Sequence, residues 1–557
     1  MKSKMKKIAR ILSIAALVAM GIMGAACSKI ESREIETPET PETQKENIVT
    51  LTTTVGFAAD GTKALTGTGV KTFAEGETMA VIYNNGTSTV KAVSHALEES
   101  DITDSGKKAT FTFDLATPNK SVEVTYIYPA AMANDDGTVN YSALNSQNGT
   151  LVTLGSNLDY CTKSGTWDGD NLPTLTLENQ LAILAITLKN EDGSSEITSG
   201  TTKLTLSDGT NTYNVNRSVA EGPIYVAIRP TTSANISIEA ISSSQGYYKN
   251  LTTKTYAANN GYSVSWKMTP ATLLSTITSD YTAQDGETLY GKLGSNVKIS
   301  IADGAKVTLK DVNINGSGTW TSGDYAGITC EGDATITLKG TNTLKGFYDE
   351  YPGIYVPESK TLTIEGEGSL KATSNGDAPG IGAGANKSCG NIVINGGNIT
   401  ATGNGNHASG IGGGENAHAG NITITGGTVT ATGDTRAAGI GGGGSADVGN
   451  ITITGGTVTA TGGYRSAGIG GSMDRGFGDI LISGGTVTAK GGEDAAGIGG
   501  GRYNGRYGSY CGTITIKSTV TKVTATKGSS SAQSIGAGNK GNGISVTIEA
   551  GANVTQN

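Results

Sequence analysis

Histidine, cysteine and aromatic residues are all scarce in this chain of 557 residues. The three histidines, His95, His407 and His418, are too scattered for a histidine-based metal centre. The five cysteines have no metal-ligand spacing, and we find no EF-hand loop and no nucleophile elbow. Aromatic residues make up 5% of the chain, which suits interiors built from Ile, Val and Ala. We therefore expect neither a metal nor a cofactor.

Basic residues are also few, since 41 Lys and Arg face 49 Asp and Glu, giving a net charge of −8. This balance argues against a nucleic-acid partner. Glycoside hydrolysis needs two convergent carboxylates about 5–9 Å apart. The acids of the C-terminal part recur in no shared position: Glu415, Asp434, Asp447, Asp474 and Glu493. We therefore predict that the protein is not an enzyme.

The one long apolar run is short for a membrane span. Residues 11–26 follow five basic residues and number sixteen, whereas a spanning helix needs about 20. The run ends in Gly24-Ala25-Ala26-Cys27, which resembles a bacterial lipobox. The alternative is an ordinary secretion signal with an incidental cysteine. We expect residues 1–26 to be a lipoprotein signal peptide, Cys27 to carry a lipid anchor to the outer membrane, and the polar residues 27–50 to be a flexible tether.

Glycine is abundant, with 83 residues, and much of it lies in a repeat. The unit is Gly-Ile-Gly-Gly, a variable loop, and then Asn-Ile-Thr-Ile-Thr-Gly-Gly-Thr-Val-Thr-Ala-Thr-Gly. Its Gly-Ile pairs begin at Gly380, Gly410, Gly439, Gly468 and Gly497, in steps of 30, 29, 29 and 29 residues. A fixed period of this length is typical of stacked repeats.

Apolar and polar residues alternate within each unit, as in short strands with one face inside. Three apolar columns result, represented by Ile422, Val429 and Ile411, and small alanines such as Ala431 indicate a narrow interior. Residues 271–557 are therefore predicted to form a parallel β-helix of about eight coils, with weaker copies at both ends. Cys389 and Cys511 fall in one column four units apart, too far for a disulfide, so we expect free, buried thiols.

Residues 51–270 have a different sequence pattern, in which short runs of alternating apolar and polar residues are separated by clusters of turn-forming residues. This spacing predicts two antiparallel β-sandwiches, at 51–160 and 161–270. Segments of this region resemble the fimbrillin family in their order along the chain: Thr62–Leu65, Phe73–Gly76, Met79–Tyr83, Tyr126–Pro129, Gln147–Gly149, Asp159-Tyr160, Leu177–Leu184, Tyr225–Pro230 and Gly261–Met268.

The resemblance implies a Bacteroidetes surface lipoprotein of the fimbrillin (Mfa-like) group, with two transthyretin-like sandwiches, that builds or decorates fimbriae and mediates adhesion. Stalk subunits of that family are typically cut after an arginine, whereas this chain has Lys63 near that place. We therefore expect a cell-anchored or tip-like adhesin that contacts other fimbrial subunits. The C-terminal repeats separately resemble Gly-Ile-Gly-Gly-Gly repeats of bacterial surface proteins, some described as carbohydrate-binding.

Candidate binding residues lie where the units differ. The register of Asn391, Asn421, Asn450 and Asp479 predicts a structural ladder instead. The loop before Gly-Ile aligns His407, Arg436, Arg465 and Asp494. There, Arg465 and Asp494 could pair, and Arg436 with Arg465 could bind an anion or a glycan carboxylate; the alternative is solvated side chains. A long loop near the end carries Arg502, Tyr503, Arg506, Tyr507 and Tyr510, and the first coils carry Trp320, Tyr325, Tyr348, Tyr351 and Tyr355. These aromatics either stack on sugar rings or cap the coil stack.

The sequence thus predicts a lipid-anchored, all-β surface adhesin whose β-helix binds a glycan or a host or matrix ligand. Two alternatives stay open. One is a β-helix lyase or hydrolase acting on polysaccharide, and the other is a structural spacer that binds nothing.

Overall fold

Mainly antiparallel β-sheets precede a parallel β-helix in the computed structural model, and the predicted all-β fold class is confirmed. Two pairs in these first sheets are parallel: Ile48–Phe57 with Leu175–Asn179, and Ala182–Lys189 with Asn260–Lys267. The structure describes residues 48–57, 72–116, 121–158, 160–218, 222–316, 325–348, 350–504, 511–541 and 543–557. In these ranges the helices are one α-helix, Leu151–Asn157, and short 3-10 turns at Glu99–Asp101, Asp104–Gly106, Ala130–Met132, Ser142–Asn145, Thr198–Gly200 and Leu274–Thr276.

The first region is an eight-stranded sheet that folds over on itself. In chain order its strands are β1 Ile48–Phe57, β2 Ala80–Asn84, β3 Thr89–Val93, β4 Ile102–Thr103, β5 Lys108–Ala116, β6 Val122–Tyr128, β7 Cys161–Trp167 and β8 Leu175–Asn179, and the sheet order is β3-β2-β6-β7-β8-β1-β5-β4. Phe113 of β5 stacks on Tyr126 of β6 at 6.3 Å between ring centroids, although the two strands are not neighbours in the sheet. The aromatic core therefore lies between the two ends of one sheet.

The second region packs two sheets face to face. Its strands are β9 Ala182–Lys189, β10 Thr201–Ser207, β11 Thr212–Asn216, β12 Ile224–Ile228, β13 Thr231–Ser242, β14 Gln245–Tyr256, β15 Asn260–Lys267 and β16 Thr269–Pro270. The larger sheet has the order β11-β10-β13-β14-β16 and the smaller β12-β9-β15. Leu184 and Ile186 of the smaller sheet meet Leu204 and Ile238 of the larger in one buried core. Alternating inward residues thus fill the space between the sheets.

The chain crosses between these two regions more than once. Leu144 and Leu154, which follow β6, are buried in the core of the second region. The buried Gln147 side chain binds both the carbonyl (2.8 Å) and the N–H (2.9 Å) of Ala227 in β12. The chain then returns, and β7 and β8 complete the first sheet. The first sheet therefore extends to Asn179, beyond the predicted boundary at residue 160, because strand pairing rather than sequence order decides membership of a sheet.

The β-helix begins at Thr272, and its strands form a 19-stranded and a 10-stranded parallel sheet, in about eight turns. The strands are Thr272–Leu273, Tyr281–Ala283, Thr288–Lys292, Ile299–Ile301, Lys306–Asn315, Ile328–Cys330, Ala334–Lys339, Thr341–Lys345, Ile354–Tyr355, Thr361–Gly366, Ser369–Thr373, Ile381–Gly382, Asn391–Ile394, Asn398–Thr402, Ile411–Gly412, Ile422–Ile424, Thr428–Thr432, Ile440–Gly441, Ile451–Ile453, Thr457–Thr461, Ile469–Gly470, Ile480–Ile482, Thr486–Lys490, Ile498–Gly499, Ile514–Ile516, Lys522–Thr526, Ile535–Gly536, Val546–Ile548 and Val554–Gln556.

The residues of each predicted column pair with one another in successive turns of the β-helix. Ile422 pairs with Ile451 of the next turn, Val429 with Val458, and Ile411 with Ile440. These side chains are fully buried, whereas the alternating threonines point outward. In the regular repeats, close stacking requires the glycine that follows the isoleucine of each Gly-Ile pair. At Gly470, with φ of +126°, an added Cβ would lie 2.2 Å from the carbonyl oxygen of Gly499.

The cysteine prediction holds in part. Cys389 and Cys511 belong to one ladder of single bridges that runs through Ala419, Val448 and Phe477, and both thiols are free. Cys389 is buried as expected, but Cys511 is only half-buried because it lines an open cavity described below.

The second sandwich and the β-helix share contacts, within the compact unit Thr50–Asn557. Tyr248 of β14 stacks on Tyr290 of an early β-helix strand at 4.3 Å between ring centroids. The Tyr290 hydroxyl donates to Asn250 Oδ1 at 2.8 Å, and Asn250 Nδ2 donates to Asp311 Oδ2 at 2.9 Å. This stack and hydrogen-bond chain fix the early turns against the sandwich.

Candidate functional site on the β-helix

The most regular polar column of the β-helix is a structural ladder. Asn421 Oδ1 accepts from the backbone N–H of Asn450 at 2.8 Å, and Asn450 Oδ1 accepts from that of Asp479 at 2.8 Å. Asp479 Oδ1 in turn accepts from the N–H of Thr513 at 2.7 Å, and this bond holds the pKa of the Asp479 carboxyl below its usual value. Each side chain binds the backbone of the following turn, so these residues are occupied in holding adjacent turns together.

The aligned side chains of the column before Gly-Ile have different surroundings. Arg436, Arg465 and Asp494 all have positive φ, near +63°, and therefore occupy the same turn position. The Arg465 guanidinium lies over the neighbouring Tyr464 ring, 4.5 Å from its centroid, while Arg436 is exposed. Further back in the column, His407 Nδ1 lies 3.2 Å from Glu415 Oε1.

Asp494 forms its ion pair with Arg502, whereas the sequence alignment suggested Arg465. Its carboxylate pairs with Arg502 Nη1 at 3.4 Å and accepts from the hydroxyls of Ser529 and Ser531, each at 2.9 Å. The bonds from Ser531 and then Ser529 lower the pKa of Asp494. Arg465 instead stacks on Tyr464, and so the aligned positions do not give the Arg465–Asp494 pair.

A cavity of about 290 Å³ lies where the loops after Gly-Ile meet in the last turns. Arg502 and Tyr503, both predicted, line it together with Arg475 and Lys540. Gly500, Gly501, Gly538, Gly541, Asp474, Cys511 and Ile544 complete the wall. We call this the arginine cleft. Of the predicted residues in the same loop, Arg506, Tyr507 and Tyr510 lie outside the described residues.

The polar side chains of the arginine cleft differ in whether they have hydrogen-bond partners. Asp474, the one carboxylate among the described wall residues, is buried and already bound. The backbone N–H of Asn504 donates to its Oδ1, and Asn504 Nδ2 donates to its Oδ2 at 3.3 Å. The Nε of Arg502 is buried and has no hydrogen-bond partner among the described residues. The three cations therefore face a cavity whose carboxylate is engaged elsewhere.

Sequence reasoning did not find Arg475 and Lys540. The loops after Ile469, Ile498 and Ile535 stack because these isoleucines pair in successive turns. One cation in each loop, Arg475, Arg502 and Lys540, then reaches the same cavity. The cations stand at different distances from their isoleucines, so they share no column in an alignment of the repeats. The available signal was a basic residue in each of three consecutive loops.

The aromatic residues of the first turns are divided between packing and surface. Tyr325 packs on Phe347 at 5.1 Å between centroids, and its hydroxyl donates to the Asn296 carbonyl at 3.0 Å. The half-buried Tyr351 lies under the Lys387 ammonium, 5.2 Å away, and Tyr348 is also half-buried. Trp320 lies outside the described residues, as does Cys27. Of the early aromatics, the described Tyr325, Tyr348 and Tyr351 do not line the arginine cleft.

Two further features bear on possible chemistry. Among the described residues, no group of three or more His, Cys, Asp or Glu side chains is placed to hold a metal ion. None of the helices in that part of the chain combines the length and apolar composition of a membrane span.

The repeated turns match a known repeat type. The Beta helix repeat family model matches residues 362–385, 392–415, 422–444, 451–473 and 480–502. These stretches follow the register of the stacked turns and reach Arg502 at the cleft. A comparison with curated proteins found no match.

Several solved structures resemble about 40% of the chain. They include a fimbrial assembly protein from Parabacteroides distasonis (10% identity, TM-score 0.25, 39% of this chain and 90% of that one). A candidate cell adhesion protein from Bacteroides uniformis gives 13% identity and a TM-score of 0.24, over 40% and 94% of the two chains. The tip fimbrial protein Mfa3 from Porphyromonas gingivalis gives 14% identity and a TM-score of 0.17, over 38% and 80%. These TM-scores are below 0.5, so no functional conclusion for this chain follows from them.

Proposed function

We propose that this protein is a cell-surface adhesin of fimbrillin type that holds its β-helix outward and binds a glycan or a host or matrix ligand. The ordered series of fimbrillin-like segments in residues 51–270 supports the class. The observation that carries the binding role is the arginine cleft, where Arg475, Arg502 and Tyr503 converge on one cavity from successive turns. Concave sites with a few convergent polar groups are the usual form of ligand pockets.

The arrangement favours binding over catalysis. Among the described residues of the wall there is a single carboxylate, Asp474, and Asn504 occupies both of its oxygens. A glycosidase would need a second acid about 5–9 Å from the first, with one of the two free to donate a proton. A non-catalytic role in attachment fits these residues better.

The proposal includes a lipid anchor on Cys27 at the outer membrane and association with other fimbrial subunits. A tip or cell-anchored position fits a chain whose C-terminal side is a β-helix, where stalk subunits of the resembled family contribute their polymerising strand. Replacing Cys27 with Ser is expected to release the protein from the membrane fraction of the producing cells, as judged by immunoblotting. Retention in that fraction would argue against lipidation. SDS-resistant ladders of the unaltered protein would argue for a polymerising subunit.

The binding role is tested on a glycan array and on immobilised host matrix proteins with the full chain. We expect retention on at least one surface, and a clear loss for Tyr503→Ala. Tyr464→Ala is the matched control, because Tyr464 is an exposed tyrosine of the preceding turn that does not line the cleft.

The alternatives predict different outcomes of this experiment. Release of shortened or unsaturated sugars from a polysaccharide would identify an enzyme. Retention on none of the surfaces would leave a structural spacer. Equal retention of the Tyr503→Ala variant and the unaltered protein would place binding elsewhere on the chain.

A further inference from the structure

We infer that the arginine cleft selects an anionic sugar residue, one bearing a carboxylate or a sulfate ester, and does not select neutral glycans. The inference rests on the proposed function, since it names the ligand class of the same site. It follows from the charge of the cleft, the buried Nε of Arg502, and the size and wall of the cleft.

The charge of the cleft is opposite to that of the chain. In the part of the wall that the structure describes, three cations, Arg475, Arg502 and Lys540, stand against the single carboxylate of Asp474, whereas the whole chain carries a net charge of −8. Asp494 pairs with Arg502 at 3.4 Å but is not part of the cavity wall. A cationic concavity within an acidic protein concentrates anions locally, because cleft walls of low dielectric focus the field.

One donor of the cleft, the Nε of Arg502, lacks an acceptor among the described residues. Arg502 uses Nη1 for Asp494, while its buried Nε has no hydrogen-bond partner among the described residues. A buried donor without a partner is costly, and an arginine fork matches the two oxygens of a carboxylate or sulfate. The acid that could have satisfied this donor from the wall, Asp474, is instead bound by Asn504. The missing acceptor therefore has the chemistry of an incoming anion.

The size and the remaining wall favour a single sugar unit. A volume of about 290 Å³ is just below the usual range for small-ligand sites, about 300–1,000 Å³. Half-buried Tyr503 and Ile544 add apolar surface beside the cations. Aromatic side chains offer a flat apolar face with a polar rim, which suits a sugar ring. An acidic peptide would need to place an extended backbone in the same space.

Binding of the full chain to immobilised polysaccharides tests the inference. The probes are polygalacturonate (carboxylate), dextran sulfate (sulfate), neutral dextran, and polyglutamate as an acidic peptide. We expect at least one acidic polysaccharide to bind more than tenfold more tightly than dextran and polyglutamate, and added salt to weaken that binding. The better of the two acidic polysaccharides then identifies the anion.

Substitutions place the binding at the cleft. Lys540→Gln and Arg475→Gln are each expected to weaken acidic-polysaccharide binding about tenfold, the value of one hydrogen bond to a charged group. Lys371→Gln removes the same charge from an exposed strand residue outside the cleft and is expected to have no effect. Lys540 is exposed and lies in a loop, so its variant keeps the test valid even if Arg475→Gln fails to fold, which circular dichroism would reveal.

The outcomes separate this inference from the adhesin proposal. Binding of neutral dextran as tight as that of both acidic polymers, tighter binding of polyglutamate, or an unchanged affinity of Lys540→Gln would overturn the anionic-sugar inference and leave the adhesin proposal standing. Failure to bind any polysaccharide here, together with failure on the array and on matrix proteins, would overturn both.

Discussion

The side-chain oxygen of Asn421 accepts a 2.8 Å hydrogen bond from the backbone N–H of Asn450, the residue at the same position one turn further along the β-helix. This side-chain bond joins two successive turns, and the same bond recurs at Asn450 and Asp479. The bond requires only a side-chain oxygen at the δ position, which Asn and Asp both have. Asp479 Oδ1 therefore accepts from the N–H of Thr513 in the same way.

Removal of this acceptor is expected to destabilise the β-helix. Asn421→Ala leaves the N–H of Asn450 without its side-chain partner, and we expect a loss of about 1 kcal/mol in the free energy of unfolding. Asn421→Asp, which keeps the acceptor, should lose less than half of that amount at pH 7. Urea denaturation followed by circular dichroism measures both, and equal losses for the two variants would show that the acceptor is not what matters.

Acid should weaken the ladder at Asp479, where a carboxylate takes the place of the asparagine amide. The hydrogen bond from Thr513 depresses the pKa of Asp479 below its ordinary value of 3.8 in the folded state. The stabilisation is therefore present above about pH 4 and is lost as the pH falls through the folded-state pKa. Asp479→Asn keeps the acceptor without the titration, so we expect its melting temperature to fall less between pH 5 and pH 2 than that of the unaltered protein. Parallel curves for the two proteins would contradict this assignment.

Inward and outward residues of one turn should differ strongly in their contribution to stability. Ile453 is fully buried, and truncation to alanine leaves a cavity in a narrow interior, which we expect to cost about 2–5 kcal/mol. The exposed Thr459 of the same turn is the matched control, and its replacement by alanine should change stability by no more than about 0.5 kcal/mol. A loss at Thr459 as large as that at Ile453 would mean that the strand faces are assigned the wrong way round.

Buried thiols should be slow to react. Burial raises the pKa of both Cys330 and Cys389 to about 12, so at pH 8 hardly any thiolate is present. Labelling of the native protein with a thiol reagent, followed by peptide mass spectrometry, should leave both unmodified, while labelling in urea should modify both. A Cys389–Cys511 disulfide in the same spectra, or fast labelling of Cys389, would refute the register of this ladder.

The repeats allowed sequence reasoning to place most of the β-helix. An inward residue such as Ile422 and an outward one such as Thr423 are distinguishable because strands alternate with a period of two, and identical units bring identical residues into one column. The same regularity identified the Asn ladder. The first sandwich boundary was harder to place, since Gln147 reaches Ala227 across 80 positions of sequence.

The candidate site was predicted only in part for a similar reason. Arg502 and Tyr503 stood out because their loop is long and aromatic, whereas Arg475 and Lys540 are ordinary residues of ordinary loops. Only the stacking of three turns brings them to one cavity. The pairing of Asp494 with Arg502 likewise depends on side-chain direction, which residue spacing does not contain.

The sequence by itself determined the β-helix, its period, its apolar columns and the face on which each threonine lies, because these depend on local alternation and on repetition. Tertiary structure alone decided which strands complete the first sheet, which acid pairs with Arg502, and that three separate loops build one cationic cleft. These features depend on distances between residues far apart in the chain, and such distances are set only when the turns stack and the sheets close.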